Sequence, residues 1–257
     1  MSKTKGYYIQ EYFRKFPLFT LWLIPLSILL LTVFGLGVIG LGISIYNIYK
    51  WNKRTTDTEF DKLRDESLRD LKRVAMSKLR LEESDLVRDF EFIVSPKYWN
   101  IGGAEFMLKK GKDGIIRYTP INVSIIFFTE HKLCIYQCVF DMVTGNPLNV
   151  STDRYFYTDI VSIKTQSINE TIDINNLKES AYKHLPNLKK HIVNGQVQIN
   201  SAEYFVLVTT GGTAIKIQLP NKTVLDYGIS GRLNSSRSDQ AIASVEAMVD
   251  NKKAVTP

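Results

Sequence analysis

The hydrophobic and polar positions of this chain form an apolar N-terminal run, an amphipathic segment and a series of short alternating segments. The run from Phe16 to Tyr49 contains no Asp, Glu, Lys, Arg or His. A helix rises about 1.5 Å per residue, and about 20 apolar residues cross the hydrocarbon core of a bilayer. The pattern therefore predicts a membrane anchor over residues 16–49, after a short basic tail at 1–15, with one transmembrane helix from about Leu23 to Ile45.

Glycines within the run leave a second arrangement open, a tight hairpin that turns at Gly35. Trp22 and Tyr46 favour the single helix, because aromatic residues collect at both membrane interfaces. Small residues on a membrane helix allow a neighbouring backbone to approach closely. Such residues share one face here and predict self-association of the anchor: Gly37, Gly40 and Ser44.

A segment with helical periodicity follows the anchor, within a juxtamembrane region at 50–84. Its apolar residues fall on one side of a helix; they are Phe60, Leu63, Leu68, Leu71, Val74, Ala75 and Leu79. Thr56, Asp57 or Thr58 can cap its start. We expect an amphipathic stalk helix that packs on its own domain or on a second copy. The second alternative would give a homo-oligomer through the transmembrane and stalk helices.

The period changes to that of strands in a domain over residues 85–252. Short alternating segments between turn residues predict seven or eight mostly antiparallel strands. The sequence GKDG at Gly111–Gly114 predicts a hairpin turn, Arg154–Thr165 one strand, and Lys222–Tyr227 the last strand.

Other parts of the domain are predicted to form loops and helices. We expect a loop at 141–153 and a polar insertion at about 168–200, with helix signals broken at Pro186. Because the insertion is polar and lies between strands, we expect it to be exposed and mobile or to bind a partner. A helix from about Ser236 to Asn251 ends the domain, and a frayed tail follows at 253–257.

Two passages resemble the bacterial pleckstrin-homology-like (PH-like) families. One is VSIIFFTEHKLCIYQC, from Val123, and the other contains Tyr157, Asp159, Ile160 and Ile163 in the order Tyr-x-Asp-Ile-x-x-Ile. YFVLVTTGGTAIKIQL, followed by a terminal helix, fits the same layout, so the resemblance covers about residues 90–250. It implies an α+β domain, a half-open β-barrel capped by a C-terminal helix, that binds proteins or lipids rather than catalysing a reaction.

The positive charge is concentrated at the anchor. The chain carries a net charge of +7, and within residues 1–54 seven bases face one acid, Glu11. This suits anionic lipid headgroups and argues against nucleic-acid binding, which needs a basic face on the domain. The bases closest to the anchor are Arg14, Lys15, Lys50, Lys53 and Arg54. On both sides of a single span their numbers nearly tie, so the positive-inside rule gives no orientation.

A second basic group lies on the predicted GKDG hairpin. It comprises Lys109, Lys110, Lys112 and Arg117. Their spacing departs from the basic motif of lipid-binding PH members, so we predict a contact with lipid or with a partner, without headgroup specificity.

The sequence indicates no catalytic residue, cofactor site or metal site. Cys134 and Cys138 would lie about 13 Å apart on one face of a strand, too far for a disulfide, so we expect buried free thiols. His131, His184 and His191 do not have metal-ligand spacing.

These patterns predict a membrane-tethered, non-enzymatic scaffold. It would be a single-pass protein of the cell inner membrane, and its cytoplasmic PH-like domain would recruit a protein partner. The alternative is a bitopic assembly subunit of an envelope or secretion complex with its domain on the outer side. An enzyme is a third and weaker hypothesis.

Overall fold

The computed structural model describes residues 4–34, 37–177, 179–220, 231–233 and 236–255. It divides the chain into two compact units, residues 1–63 and 64–257. The turn position Gly35 and the expected strand Lys222–Tyr227 lie outside the described residues.

The apolar run forms two helices rather than one. Helix α1 covers Lys5–Phe13, α2 Phe19–Phe34 and α3 Gly37–Asn52. The expectation of a single helix from Leu23 to Ile45 is therefore wrong. The division falls in the sequence Gly-Leu-Gly, and glycine disfavours helix by about 1 kcal/mol relative to alanine. Among the described helices, none combines the length and the apolar character needed to cross a bilayer.

The expected stalk helix is present as α4, Asp57–Leu79. Thr56 caps it reciprocally: its N–H donates to the Glu59 carboxylate at 2.7 Å, and its hydroxyl accepts from the Glu59 N–H at 3.3 Å. Leu68, Leu71 and Leu79 are buried, as their spacing predicted, whereas Val74, expected on the same face, is exposed. Arg154 donates to the carbonyl of Leu79, so the end of the stalk lies on the chain's own sheet.

The second unit is built from antiparallel strands. They are β1 Glu91–Pro96, β2 Met107–Lys110, β3 Ile116–Thr119, β4 Ile121–Phe128, β5 Lys132–Asp141, β6 Asn146–Phe156, β7 Ile160–Asp173, β8 Ile192–Val193, β9 Gln196–Thr209 and β10 Ala214–Gln218. One sheet has the order β1-β4-β5-β6, and another has β10-β9-β7 with β8 paired to β9. After these two larger sheets we call residues 64–257 the two-sheet unit. Strands β2 and β3 form the hairpin expected around GKDG. Helices α5, Glu179–His184, and α6, Ser236–Val255, complete the described elements.

Two expectations about the middle of the domain are wrong. The residues expected to form one strand, Arg154–Thr165, belong to two sheets, because a 3-10 turn at Tyr157–Asp159 separates β6 from β7. Most of the expected loop 141–153 is strand, since β6 begins at Asn146. Asp141 makes this possible by accepting from the Val143 N–H at 3.0 Å and the Thr144 hydroxyl at 2.8 Å, which closes a tight turn.

The first core lies between the two sheets and is sealed by α6. It includes Ile126, Phe128, Ile135, Phe205, Leu207, Ile217, Ala241, Val245 and Val249. Ser244 of α6 fixes the helix to β1 by donating to the Glu91 carboxylate at 2.8 Å. The α+β class with antiparallel sheets and a C-terminal helix is confirmed. Within the described residues the two sheets share no strand pair, so they do not close into a barrel.

A second core contradicts the expectation that residues 168–200 form an exposed insertion. Strands β7 and β9 extend beyond the first core as a long ribbon, and α5 and the 3-10 turn Pro186–His191 pack beside it. The buried members from this segment are Ile172, Leu177, Ala181, Leu185, Leu188, Val197 and Ile199, packed with Tyr98, Trp99 and Phe106. The segment has a polar sequence overall, but most of its apolar residues pack into this second core.

The C-terminal helix is longer than expected. Helix α6 continues to Val255, so residues 253–255 are helical rather than a frayed tail.

Candidate membrane-contact hairpin

Helices α2 and α3 pack against each other in antiparallel orientation. The Asn47 side-chain amide donates to the Thr20 hydroxyl at 3.1 Å. A Cβ atom on Gly37 would lie 1.9 Å from the Ser27 carbonyl oxygen, and one on Gly40 would lie 2.0 Å from the Ser27 hydroxyl. Only residues without a side chain allow this approach. We call the pair α2–α3 the apolar hairpin.

The small-residue face identified in the sequence lies at this contact. Gly37 and Ser44 are buried there, and the Ser44 hydroxyl donates to the Gly40 carbonyl at 2.9 Å. The face expected to join two copies thus packs against another helix of the same chain, an arrangement that the sequence had left open as the hairpin alternative.

The outer surface of the apolar hairpin consists of exposed hydrophobic side chains. Trp22 is 80 % exposed and Leu29 is 64 % exposed. Others on this surface are Phe19, Leu21, Leu26, Ile28, Val38, Ile39, Ile43, Ile45 and Tyr46. Soluble proteins rarely expose a contiguous apolar patch of this kind, and such patches mark contact with a partner or a membrane.

The hairpin's open end, where α2 begins and α3 ends, gathers aromatic and basic residues. Because Thr20 lies against Asn47, Trp22 and Tyr46 are at the same end, not at opposite ends as in one long helix. The Arg54 guanidinium stacks 3.7 Å from the Trp51 ring centre, and the Lys53 amine lies 4.6 Å from that of Tyr49. All five bases closest to the anchor, Arg14, Lys15, Lys50, Lys53 and Arg54, flank this end in the chain.

Helix α1 and the start of α4 meet beside the open end. The Tyr12 hydroxyl donates to the Asp57 carboxylate at 2.8 Å, and its ring packs 4.5 Å from that of Phe60. The Thr55 hydroxyl donates to the Tyr8 carbonyl at 2.8 Å. The segments before and after the hairpin therefore leave it on one side.

A pocket of about 280 Å³ opens between α1 and α3 in this region. Lys50, Lys53 and Arg54 line it, together with tyrosines of both helices and Glu11. The tyrosines of α1, Tyr7 and Tyr8, were not identified as site residues from the sequence. The aromatic pairs Tyr7-Tyr8 and Tyr12-Phe13 in an otherwise polar tail were the available signal.

The basic hairpin of the second unit is only partly available for contact. Arg117 is buried, and its guanidinium donates to both carboxylate oxygens of Asp113, at 3.0 and 2.8 Å. This hydrogen bonding lowers the pKa of Asp113 to about 2. Arg117 therefore closes the turn, whereas Lys110 and Lys112 are exposed and Lys109 is half-buried.

The residues considered as reactive or metal-binding groups form no metal-binding cluster in the described part of the chain. Cys134 and Cys138 are free and buried, and burial raises the pKa of the Cys138 thiol to about 12. In the part of the chain that the structure describes, no three side chains of the metal-binding types form a cluster.

Known proteins add no further information on the hairpin or on the two-sheet unit. Comparison of the chain with protein-family models, with curated proteins and with solved structures gave no match.

Proposed function

We propose that this chain is a non-enzymatic binding protein that the apolar hairpin anchors in a membrane, with the two-sheet unit on the cytoplasmic side. The observation that carries the proposal is the exposed apolar surface of α2 and α3, whose tryptophans, tyrosines and flanking bases collect at one end. Burying one Leu, Ile or Phe side chain is worth about 1.5–3 kcal/mol, so the surface strongly favours a lipid environment.

Several polar side chains of the hairpin support insertion, because they are hydrogen-bonded within it or buried between its helices. Asn47 bonds Thr20, and Ser44 bonds a carbonyl of its own helix. Ser27 and Thr20 are buried between the helices. In hydrocarbon an unsatisfied polar group costs several kcal/mol, so this inward placement is what a lipid-embedded pair requires.

The length of the helices supports entry from one side. Each has 16 residues, which corresponds to roughly 24 Å, against a hydrocarbon core of about 30 Å. The tip would reach deep into the core while both ends stay at one interface. Trp22 and Tyr46 would then form a single aromatic belt rather than two.

The hairpin also changes the comparison of flanking charges, whose numbers nearly tie on the two sides of a single span. In a one-sided anchor the five flanking bases lie at the same interface, and the apolar run carries no charge. The positive-inside rule then favours a cytoplasmic open end. A bitopic assembly subunit would need its two flanks on opposite sides, so the hairpin disfavours that alternative.

The second unit supports the binding role through its strand order. Without the β2–β3 hairpin and β8, four strands form one sheet, three form the next, and a helix follows. The PH-like resemblance would imply these elements in a half-open barrel, but within the described residues they form two separate sheets. Within the described residues β6 pairs only with β5, which leaves an edge open to a partner strand. We propose that the protein partner docks on this edge.

Labelling with a membrane-impermeant maleimide tests the anchor. Thr4→Cys precedes the hairpin and Lys253→Cys follows it, and both sites are exposed. We expect both to react in inverted inner-membrane vesicles and neither in intact cells. The wild-type chain, whose two cysteines are buried, is the background control. Reaction of the two sites from opposite sides would exclude the hairpin, and reaction of both from outside would exclude the orientation.

Photo-crosslinking tests the docking edge. A photoreactive residue at Val150 of β6 should give a discrete adduct in cells, whereas one at Val87, which is equally exposed, should not. Adducts at both positions or at neither would contradict docking on β6.

A further inference from the structure

The pocket at the open end of the apolar hairpin has the composition of an anion site. Three bases line it, Lys50, Lys53 and Arg54, and the acid there, Glu11, is held by Arg14 at 3.0 Å. In the described part of the first unit, neither Lys53 nor Arg54 forms an ion pair with a carboxylate. Aromatic rings hold both cations instead.

Because rings and not carboxylates contact Lys53 and Arg54, the N–H groups of these side chains can still donate hydrogen bonds to a bound anion. A guanidinium that stacks flat on an indole keeps its N–H groups in the plane of the ring, directed to the side, where they suit a phosphate. The guanidinium carbon of Arg54 lies over the Trp51 ring, 3.7 Å from its centre, a distance that suits this contact. Lys50 adds an ammonium from the last turn of α3, and Tyr46 and Tyr49 line the same pocket.

The location and size of the pocket select the ligand. If the hairpin is inserted, its open end lies at the level of the lipid headgroups. The volume of about 280 Å³ is just below the roughly 300–1,000 Å³ of drug-sized ligand pockets. It accommodates a headgroup, while the acyl chains would lie along the apolar surface of α3.

We propose that this pocket binds the phosphate-bearing headgroup of an anionic phospholipid, with Lys50, Lys53 and Arg54 as its ligands. This inference rests on the proposed membrane insertion. It adds that the bases do not act only as a diffuse positive charge, because three of them form one defined site.

Vesicle binding of the full-length protein tests the proposal. The probes are vesicles of phosphatidylcholine alone and vesicles in which one quarter of the lipid is phosphatidylglycerol. Lys50→Gln removes a base from the pocket, and Lys15→Gln removes an equal charge from outside it. At low salt both variants should lose affinity for the anionic vesicles, since each nearby base contributes about 1 kcal/mol, or fivefold.

High salt separates a site from diffuse charge. At about 1 M salt the Debye length falls to about 3 Å, so diffuse attraction disappears while direct hydrogen-bonded ion pairs persist. There we expect Lys15→Gln to equal the wild type and Lys50→Gln to bind anionic vesicles at least fivefold more weakly. Arg54→Gln should behave as Lys50→Gln does. This second pocket variant ensures that the conclusion does not depend on the folding of one variant. Equal behaviour of Lys15→Gln and the pocket variants at both salt concentrations would overturn the proposal.

Two controls distinguish the failure of this inference from failure of the anchor. Binding to pure phosphatidylcholine should be the same for the wild type and for Lys50→Gln, because it reports insertion alone. If the wild type does not bind those vesicles, the proposed function fails; if it binds them without preferring anionic lipid, only the pocket fails. Excess soluble glycerophosphate should compete weakly, and complete competition would indicate a free phosphate as the ligand.

Discussion

Gly37 and Gly42 lie five residues apart on one helix but in different surroundings. A Cβ on Gly37 would overlap the backbone carbonyl of Ser27, whereas nothing lies within 4 Å of a Cβ on Gly42. The first glycine is needed for the approach of two helices, and the second is not.

We therefore expect Gly37→Ala to separate α2 from α3 and Gly42→Ala to leave them packed. The pair Thr20→Cys and Asn47→Cys, at positions whose side chains are hydrogen-bonded, reports the packing through disulfide formation. Oxidation should be fast in the Gly42→Ala background and several-fold slower with Gly37→Ala. Equal rates would show that the close approach at Ser27 is not required.

The amine of Lys97, in the second unit, is strongly affected by its surroundings. It lies 4.1 Å from the centre of the Trp99 ring, and burial lowers its pKa to about 8, against the opposing effect of Glu170. Between pH 8 and the ordinary value of 10.5 the unfolded chain therefore binds more protons at this site than the folded chain. This contribution to the free energy of unfolding must rise with pH across that window.

Lys97→Met should remove this pH dependence. The variant should be more stable than the wild type at pH 7, and the difference should shrink by about 1–3 kcal/mol at pH 10, where the wild-type amine is neutral in the folded state. Denaturant unfolding at both pH values measures it, and groups that titrate equally in the wild type and the variant cancel in the difference. A difference that is constant between the two pH values would contradict the low pKa.

At the scale of elements, the second core makes residues 172–199 part of the folded unit. Leu188 lies in the 3-10 turn after α5 and is completely buried, whereas Lys190, two residues later, is exposed. Residues that are close in this polar segment therefore differ sharply in burial.

We expect Leu188→Ala to lower the free energy of unfolding by about 2–5 kcal/mol, through lost burial and the cavity that remains. Lys190→Ala should change it by less than about 0.5 kcal/mol. Denaturant unfolding of the detergent-solubilised chain provides the measurement. A small effect of Leu188→Ala would restore the interpretation of this segment as a peripheral insertion.

The sequence predicted the elements whose signals are local. The stalk helix follows from its 3.6-residue period and from capping residues at its start, and the β2–β3 hairpin follows from GKDG. The second core was missed because its members come from distant segments: Phe106 and Leu188 join one cluster only after folding. The hairpin was underestimated because the contacts that favour it, Gly37 on Ser27 and Asn47 on Thr20, also depend on tertiary packing.

At the scale of the whole molecule, nearly all of the net charge lies in the first 54 residues, which also contain the apolar hairpin. In the proposed anchor, electrostatic and hydrophobic contributions to membrane binding would therefore come from the same part of the chain, and solvent conditions can separate them.

We expect about 1 M salt to leave the protein in the membrane pellet and a non-ionic detergent to release it, because salt screens charge but does not weaken apolar burial. Leu29→Arg with Ile43→Arg, which places charges on the exposed surface of both helices, should make the protein salt-extractable. Release of the wild type by salt alone would mean that the hairpin lies on the bilayer surface.

An anchor in which both ends leave on one side has a consequence for biosynthesis. In the proposed arrangement only the uncharged stretch between Phe19 and Tyr49 would enter the bilayer, and no hydrophilic segment would have to be translocated across it. The chain can therefore be released from the ribosome before it inserts, and its two-sheet unit can fold in the compartment in which it was made. Full-length protein synthesised in the absence of membranes should still insert when vesicles are added afterwards.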